Sequence, residues 1–129
     1  MKEKESSIEL AICHFIASYL RKKNIPHHFW KQPQAGFAQL DRRTKTFRFR
    51  RHTNPFVGLG VPDIIVIIQG IFVGLECKTK AGKQSPNQIE FESLVRHAGG
   101  FYYIVRSLSD AENALNAFFQ SVDFRSEPV

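Results

Sequence analysis

Cysteine is scarce in this 129-residue chain: the two present, Cys13 and Cys77, stand in apolar contexts and share no CxxC-type spacing. A disulfide framework is not expected, nor is a zinc site, because no pairing with the five histidines has ligand spacing. Long apolar runs are missing too, which excludes a membrane-spanning helix. The opening MKEKESSIEL is charged and has no apolar signal region, so a reduced, cytoplasmic chain is expected. No repeats and no linkers appear. One domain over residues 1–129 is expected, with a core from about 5 to 122 and a loose tail from Asp123. With 43% hydrophobic and 12% aromatic residues, the composition is that of a folded domain and not of a disordered chain.

What is abundant is positive charge. The formal net charge is +6, and six of the eighteen Lys and Arg residues fall within residues 42–51. A polyanionic partner such as nucleic acid follows as an expectation. Arg42, Arg43, Lys45, Arg48, Arg50 and Arg51 are its leading phosphate contacts, with Lys80 and Lys83 as a second group. The bland alternative is a solvated edge strand whose charges block aggregation.

Periodicity places the elements. Ser6 or Ser7 can cap a first helix whose face is Ile8, Ile12, Phe15, Ile16, Tyr19 and Leu20, and Asn24 with Pro26 ends it. A short strand is predicted over 28–31, a loop with extended pieces over 32–43, a strand over 44–51 and a loop over 52–62. Ser85-Pro86-Asn87-Gln88 reads as a capping box opening a helix with a buried stripe of Phe91, Leu94, Val95 and Ala98. A strand over 101–105 and a last helix capped by Ser109 or Asp110 complete a mixed α/β order: a central mixed sheet flanked by helices. Trp30 and Phe37 could stack on bases, although large aromatics are more often core.

The stretch from Gly60 to Lys78, GVPDIIVIIQGIFVGLECK, holds the chemistry. If Gln69-Gly70 is a two-residue turn, Ile68 faces Ile71, Val66 meets Val73, Ile65 meets Gly74 and Asp63 meets Glu76. Lys78 shares that face, Cys77 points away from it, and Gly74 leaves open space there. Two carboxylates about 5 Å apart repel by about 3 kcal/mol at an effective dielectric near 20. Such a pair must protonate, find a cation or cost stability, and oxygen ligands suit magnesium or manganese. The alternative is a structural salt bridge of Asp63, Glu76 and Lys78 at a solvated sheet edge.

Pro62-Asp63 followed by Glu76-Cys77-Lys78 resembles the PD-(D/E)XK nuclease motif. With Gly60-Val61-Pro62-Asp63-Ile64-Ile65, Gly74-Leu75-Glu76-Cys77-Lys78-Thr79, Ser85-Pro86-Asn87-Gln88 and Gly99-Gly100, the chain is similar to the VRR-NUC family over roughly residues 5–108. Cys77 departs from the aliphatic residue expected at its position. The resemblance implies a restriction-endonuclease-like core and Mg²⁺- or Mn²⁺-dependent cleavage of DNA in a bacterial or phage-encoded setting. It implies that Asp63, Glu76 and the backbone carbonyl of Cys77 hold the metal and that Lys78 orients water. It adds Gln88 to the catalytic set, and a first-helix glutamate, Glu9 or its rival Glu5, to the metal ligands. Stand-alone members of the family resemble Holliday-junction resolvases, and a four-way junction needs two symmetric cuts, so a homodimer is expected, with Phe118 and Phe119 as possible interface. Cleavage of flap, nicked or linear DNA, or non-catalytic nucleic-acid binding, are the competing functions.

Overall fold

A computed structural model describes residues 5–33, 37–50 and 55–124, and only the backbone at 5, 6, 37–39 and 48–50. In chain order these residues form α1 (Glu5–Lys23), β1 (His27–Lys31), β2 (Phe37–Asp41), β3 (Thr46–Arg50), β4 (Ile64–Ile68), β5 (Ile71–Cys77), α2 (Pro86–His97), β6 (Phe101–Val105) and α3 (Leu108–Ser121).

The isoleucine stripe of α1 acts as its spacing predicts. Ile8, Ile12, Ile16 and Leu20 are buried, with Phe15 and Tyr19 packed at the margin. The helix reaches back to Glu5, so Ser6 and Ser7 lie inside it and do not cap it. Asn24 ends it in the left-handed conformation (φ 54°), its N–H bonded to the Leu20 carbonyl.

The main sheet has the order β1-β4-β5-β6, antiparallel except for the parallel β5–β6 pair that α2 connects. Gln69 (φ 48°) and Gly70 (φ 84°) are both left-handed, as a two-residue hairpin turn of type I′ requires. The β4–β5 register is the one predicted: Ile68 opposite Ile71, Val66 opposite Val73, Ile65 opposite Gly74. On one face of the sheet, Ile64, Val66, Ile68, Val73, Leu75, Cys77 and Val105 pack against the α1 stripe and against Ala111, Ala114, Leu115 and Phe118 of α3.

Four expectations need correction. The 32–43 region contains a strand, β2, which pairs with β3 in a separate two-stranded sheet. Residues 42–45 are the turn between them, so Lys45 (φ 56°) belongs to the turn and not to a strand face. In α2 no residue is buried: Leu94 is 61% exposed, Ala98 is exposed, and Phe91 and Val95 are half-buried. Its apolar face is wider than the surface it meets, which is chiefly β6 and the Gly100 backbone under Val95. The cap of α3 is Ser107, whose Oγ accepts the Asp110 N–H at 3.1 Å, two residues before Ser109 and three before Asp110. Finally, Phe118 is fully buried and so not open to a partner, while Phe119 is half-buried among Tyr19, Phe118 and Phe124. Arg51 and residues 125–129 of the expected tail lie outside the described residues. No helix among the described residues is long and apolar enough to cross a membrane.

Candidate active site

The hairpin register carries the backbones of the two acids to the same end of the β4–β5 pair. The ladder ends at Ile64 opposite Leu75, and one further step brings Asp63 level with Glu76. There a side chain takes over from the backbone: Asp63 Oδ2 accepts the Cys77 N–H at 2.8 Å. An extended residue directs its N–H and C=O toward the same neighbouring strand. The Cys77 carbonyl is therefore directed to the Asp63 side, while the Cys77 side chain is buried in the core on the α1 side.

Glu76 points to the opposite face. It pairs with Ile104, two residues from Tyr102, so both side chains rise from the same surface of the sheet. Glu76 and Tyr102 are both 0% exposed, and the Tyr102 hydroxyl donates to Glu76 Oε1 at 2.7 Å. Burial first, and then the bond to Glu76, hold the phenol far above its usual pKa, so it stays a donor. The other carboxylate oxygen, Glu76 Oε2, is buried without a hydrogen-bond partner. An unmet buried polar atom costs about 1–3 kcal/mol, and more when it is charged. That vacancy of interaction is what a bound cation would relieve.

Gly74 does not leave the predicted space on this face. A Cβ there would lie 2.8 Å from Pro62 Cγ, so Pro62 occupies the room that the missing side chain provides. Gly60 (φ 74°) lies equally close to α2: a Cβ would fall 2.3 Å from the Asn87 carbonyl and 2.6 Å from the Gln88 nitrogen. The segment leading into Asp63 is thus held between β5 and the first turn of α2. Gln88 performs the structural part of its expected role. Its Oε1 accepts the Ser85 N–H at 2.8 Å, and its own N–H donates to Ser85 Oγ at 3.2 Å.

Lys78 follows two residues after Glu76, its N–H bonded to the Val105 carbonyl at 3.0 Å, so the β5–β6 pairing continues under it. Its stem runs beside Gly82. The loop after it is held by Arg106, whose Nη1 donates to the Thr79 carbonyl at 2.6 Å and the Gly82 carbonyl at 2.7 Å. Lys80 and Lys83, both exposed, ride on this loop. Nothing in the sequence pattern singles out Arg106, because its partners lie more than twenty residues away.

Glu9 is placed differently from the expected metal ligand. It is 8% exposed and pairs with Lys31 Nζ at 3.0 Å. Lys31 ends β1 opposite Ile64, on the α1 side of the sheet. The bond from Glu9, and more weakly the charge of Asp63, raise the Lys31 pKa. Among the described residues, no three His, Cys, Asp or Glu side chains converge on one point, so Glu9 does not join Asp63 and Glu76. The side chain of its rival, Glu5, lies outside the described residues. Lys31 itself was not anticipated.

The basic set divides likewise. Arg42, Arg43 and Lys45 are exposed on the β2–β3 turn, while the side chains of Arg48 and Arg50 lie outside the described residues, as does Phe37. The turn is shaped by Asp41, whose Oδ1 accepts the Arg43 N–H at 2.9 Å. Trp30 is not core. It is 38% exposed, stands opposite Ile65 on the Glu76 face and donates to Gln32 Oε1 at 2.9 Å.

No family model and no curated protein matches this chain.

Proposed function

We propose that this chain is a metal-dependent DNA endonuclease of the VRR-NUC type, with a restriction-endonuclease-like core, cutting four-way junctions as a homodimer. The observation that carries the reading is the buried, unpartnered Glu76 Oε2, on a residue level with Asp63 one step beyond the Ile64–Leu75 pair. The donor set suits a hard cation: two carboxylates and a backbone carbonyl, all oxygen, with no cysteine or histidine required. Mg²⁺ or Mn²⁺ bound there would withdraw charge from a phosphodiester and make a nearby water more acidic.

The chain's own residues do the rest. Asp63 and Glu76 supply negative oxygens on a rigid strand pair. Lys78 brings an ammonium to the same end of the sheet, where it offsets part of their repulsion and opposes the charge that grows on a phosphate under attack. The α2 cap, through Gly60, fixes the segment entering Asp63. The exposed Arg42, Arg43 and Lys45 form a separate basic ribbon end suited to a phosphate backbone. A twofold assembly would supply the second cut, using a face that does not include the buried Phe118.

Four-way junction, flap, single-stranded and linear DNA, each incubated with the protein and Mn²⁺ or Mg²⁺, test the reading directly. Paired symmetric cuts in the junction are expected, with little cleavage of linear duplex. Equal cutting of all substrates removes the junction preference. Binding without cutting under every metal condition favours a non-catalytic module. In the same assays, replacing Arg42, Arg43 and Lys45 together by alanine is expected to weaken binding uniformly across substrates. It should also flatten the slope of log affinity against log salt, by up to about 0.9 per lost phosphate contact. An unchanged slope would move the phosphate contacts elsewhere.

A further inference from the structure

We infer that Tyr102 is a positioning residue for the candidate cation site: its hydroxyl captures one oxygen of Glu76 so that the other is presented to the ion. The inference rests on the proposed metal-dependent reading and adds a residue that the PD-(D/E)XK motif does not contain. Each carboxylate of the site has one oxygen held by an uncharged donor. Asp63 Oδ2 is held by the Cys77 N–H at 2.8 Å, and Glu76 Oε1 by the Tyr102 hydroxyl at 2.7 Å. Uncharged donors orient a carboxylate without cancelling its charge, which a lysine or arginine in the same place would do. Glu76 is thereby left with a fixed direction and one buried oxygen lacking a partner.

Tyr102 is itself held in place. It is fully buried, its carbonyl accepts from Arg96 Nη2 at 2.6 Å, and Arg96 Nε is paired with Glu92 Oε2 at 2.9 Å. Glu92 Oε1 accepts from Gln84 Nε2 at 3.0 Å. The chain of contacts runs from Glu76 through Tyr102 to Arg96 and Glu92 of α2, and from there to Gln84. Partners in such outer positions commonly set metal affinity through the ligand they orient.

The test is Mn²⁺ binding without DNA, followed by the electron paramagnetic resonance signal of the free ion, for the unaltered protein, Tyr102→Phe, Gln84→Ala and Asp63→Asn. Tyr102→Phe is expected to lower Mn²⁺ affinity by about 10–100-fold, and Gln84→Ala by a smaller factor in the same direction. In cleavage assays the Mn²⁺ concentration for half-maximal rate should rise in parallel, with the rate at saturating Mn²⁺ largely kept. If Tyr102→Phe does not fold, Gln84→Ala on the half-buried loop carries the test. Unaltered affinity in every folded variant of these two, with Asp63→Asn still abolishing binding, overturns the role of Tyr102 alone. Absence of Mn²⁺ binding by the unaltered protein, or binding that Asp63→Asn leaves intact, overturns the metal-dependent reading beneath it.

Discussion

Asp63→Asn is expected to abolish DNA cleavage while leaving the fold and DNA binding in place. Asparagine keeps the shape of the side chain, and its amide oxygen can still accept the Cys77 N–H that Asp63 Oδ2 now accepts at 2.8 Å. What disappears is one negative charge at the end of a buried strand pair. Removal of a single preorganised electrostatic group commonly costs about 10²–10³-fold in rate, and a lost metal ligand more. The direction for binding is opposite. One fewer negative charge next to a polyanion leaves affinity unchanged or slightly higher. Lys78→Ala should also lose cleavage, but without that gain in affinity. Single-turnover cleavage and filter binding on the same junction, with a thermal melt for each variant, provide the check. Cleavage within a few-fold of the unaltered protein would show that the acid pair is a structural feature of the sheet end.

Gly60→Ala is expected to be the most damaging glycine-to-alanine change among the described residues. Its Cβ would fall 2.3 Å from the Asn87 carbonyl carbon and oxygen and 2.6 Å from the Gln88 nitrogen, all of them backbone atoms in a capped helix turn. No rotamer relieves such a contact, so either α2 or the segment entering Asp63 must move. The φ of 74° adds its own penalty of about 1–2 kcal/mol for a residue with a Cβ. Together the two effects should cost about 3 kcal/mol or more, equivalent to a fall of about 10 °C in melting temperature for a domain of this size. Gly99→Ala supplies the control. Its φ is also positive, at 91°, but no atom lies within 4 Å of the added methyl, so only the backbone penalty should appear. Equal melting temperatures for the two variants would show that the contact of Gly60 with α2 yields easily.

Local rules read much of this fold correctly. The α1 stripe, the capping box at Ser85 and Gln88 and the register around Gln69-Gly70 each depend on residues within a few positions of one another. For the hairpin, a two-residue turn that demands left-handed residues leaves a single pairing. The misreadings share a different cause. β2 is a strand only because β3 lies beside it, and its own FAQLD has no alternation that would announce it. Leu94 has the spacing of a buried residue, but periodicity shows that a helix has an apolar side and not how much of it meets a partner. Glu9 enters the metal-ligand set only through the family resemblance, and the cation that meets it, Lys31, comes from a strand 22 positions later. Tyr102 and Arg106 are invisible for the same reason. Their sequence context is an ordinary β-branched and aromatic strand end, and what distinguishes them is a partner far along the chain.

The unequal spans across which the strands pair also set an order of assembly. The β4–β5 hairpin closes across two residues, on a timescale of microseconds. The β5–β6 pair must first close the 23 residues 78–100, including all of α2. By loop-closure entropy, the repelling acids become neighbours early, and the tyrosine that anchors one of them arrives late. A chain caught between those two events carries its like charges side by side before their support exists, which makes docking of the last strand the point at which the charged end of the sheet becomes secure.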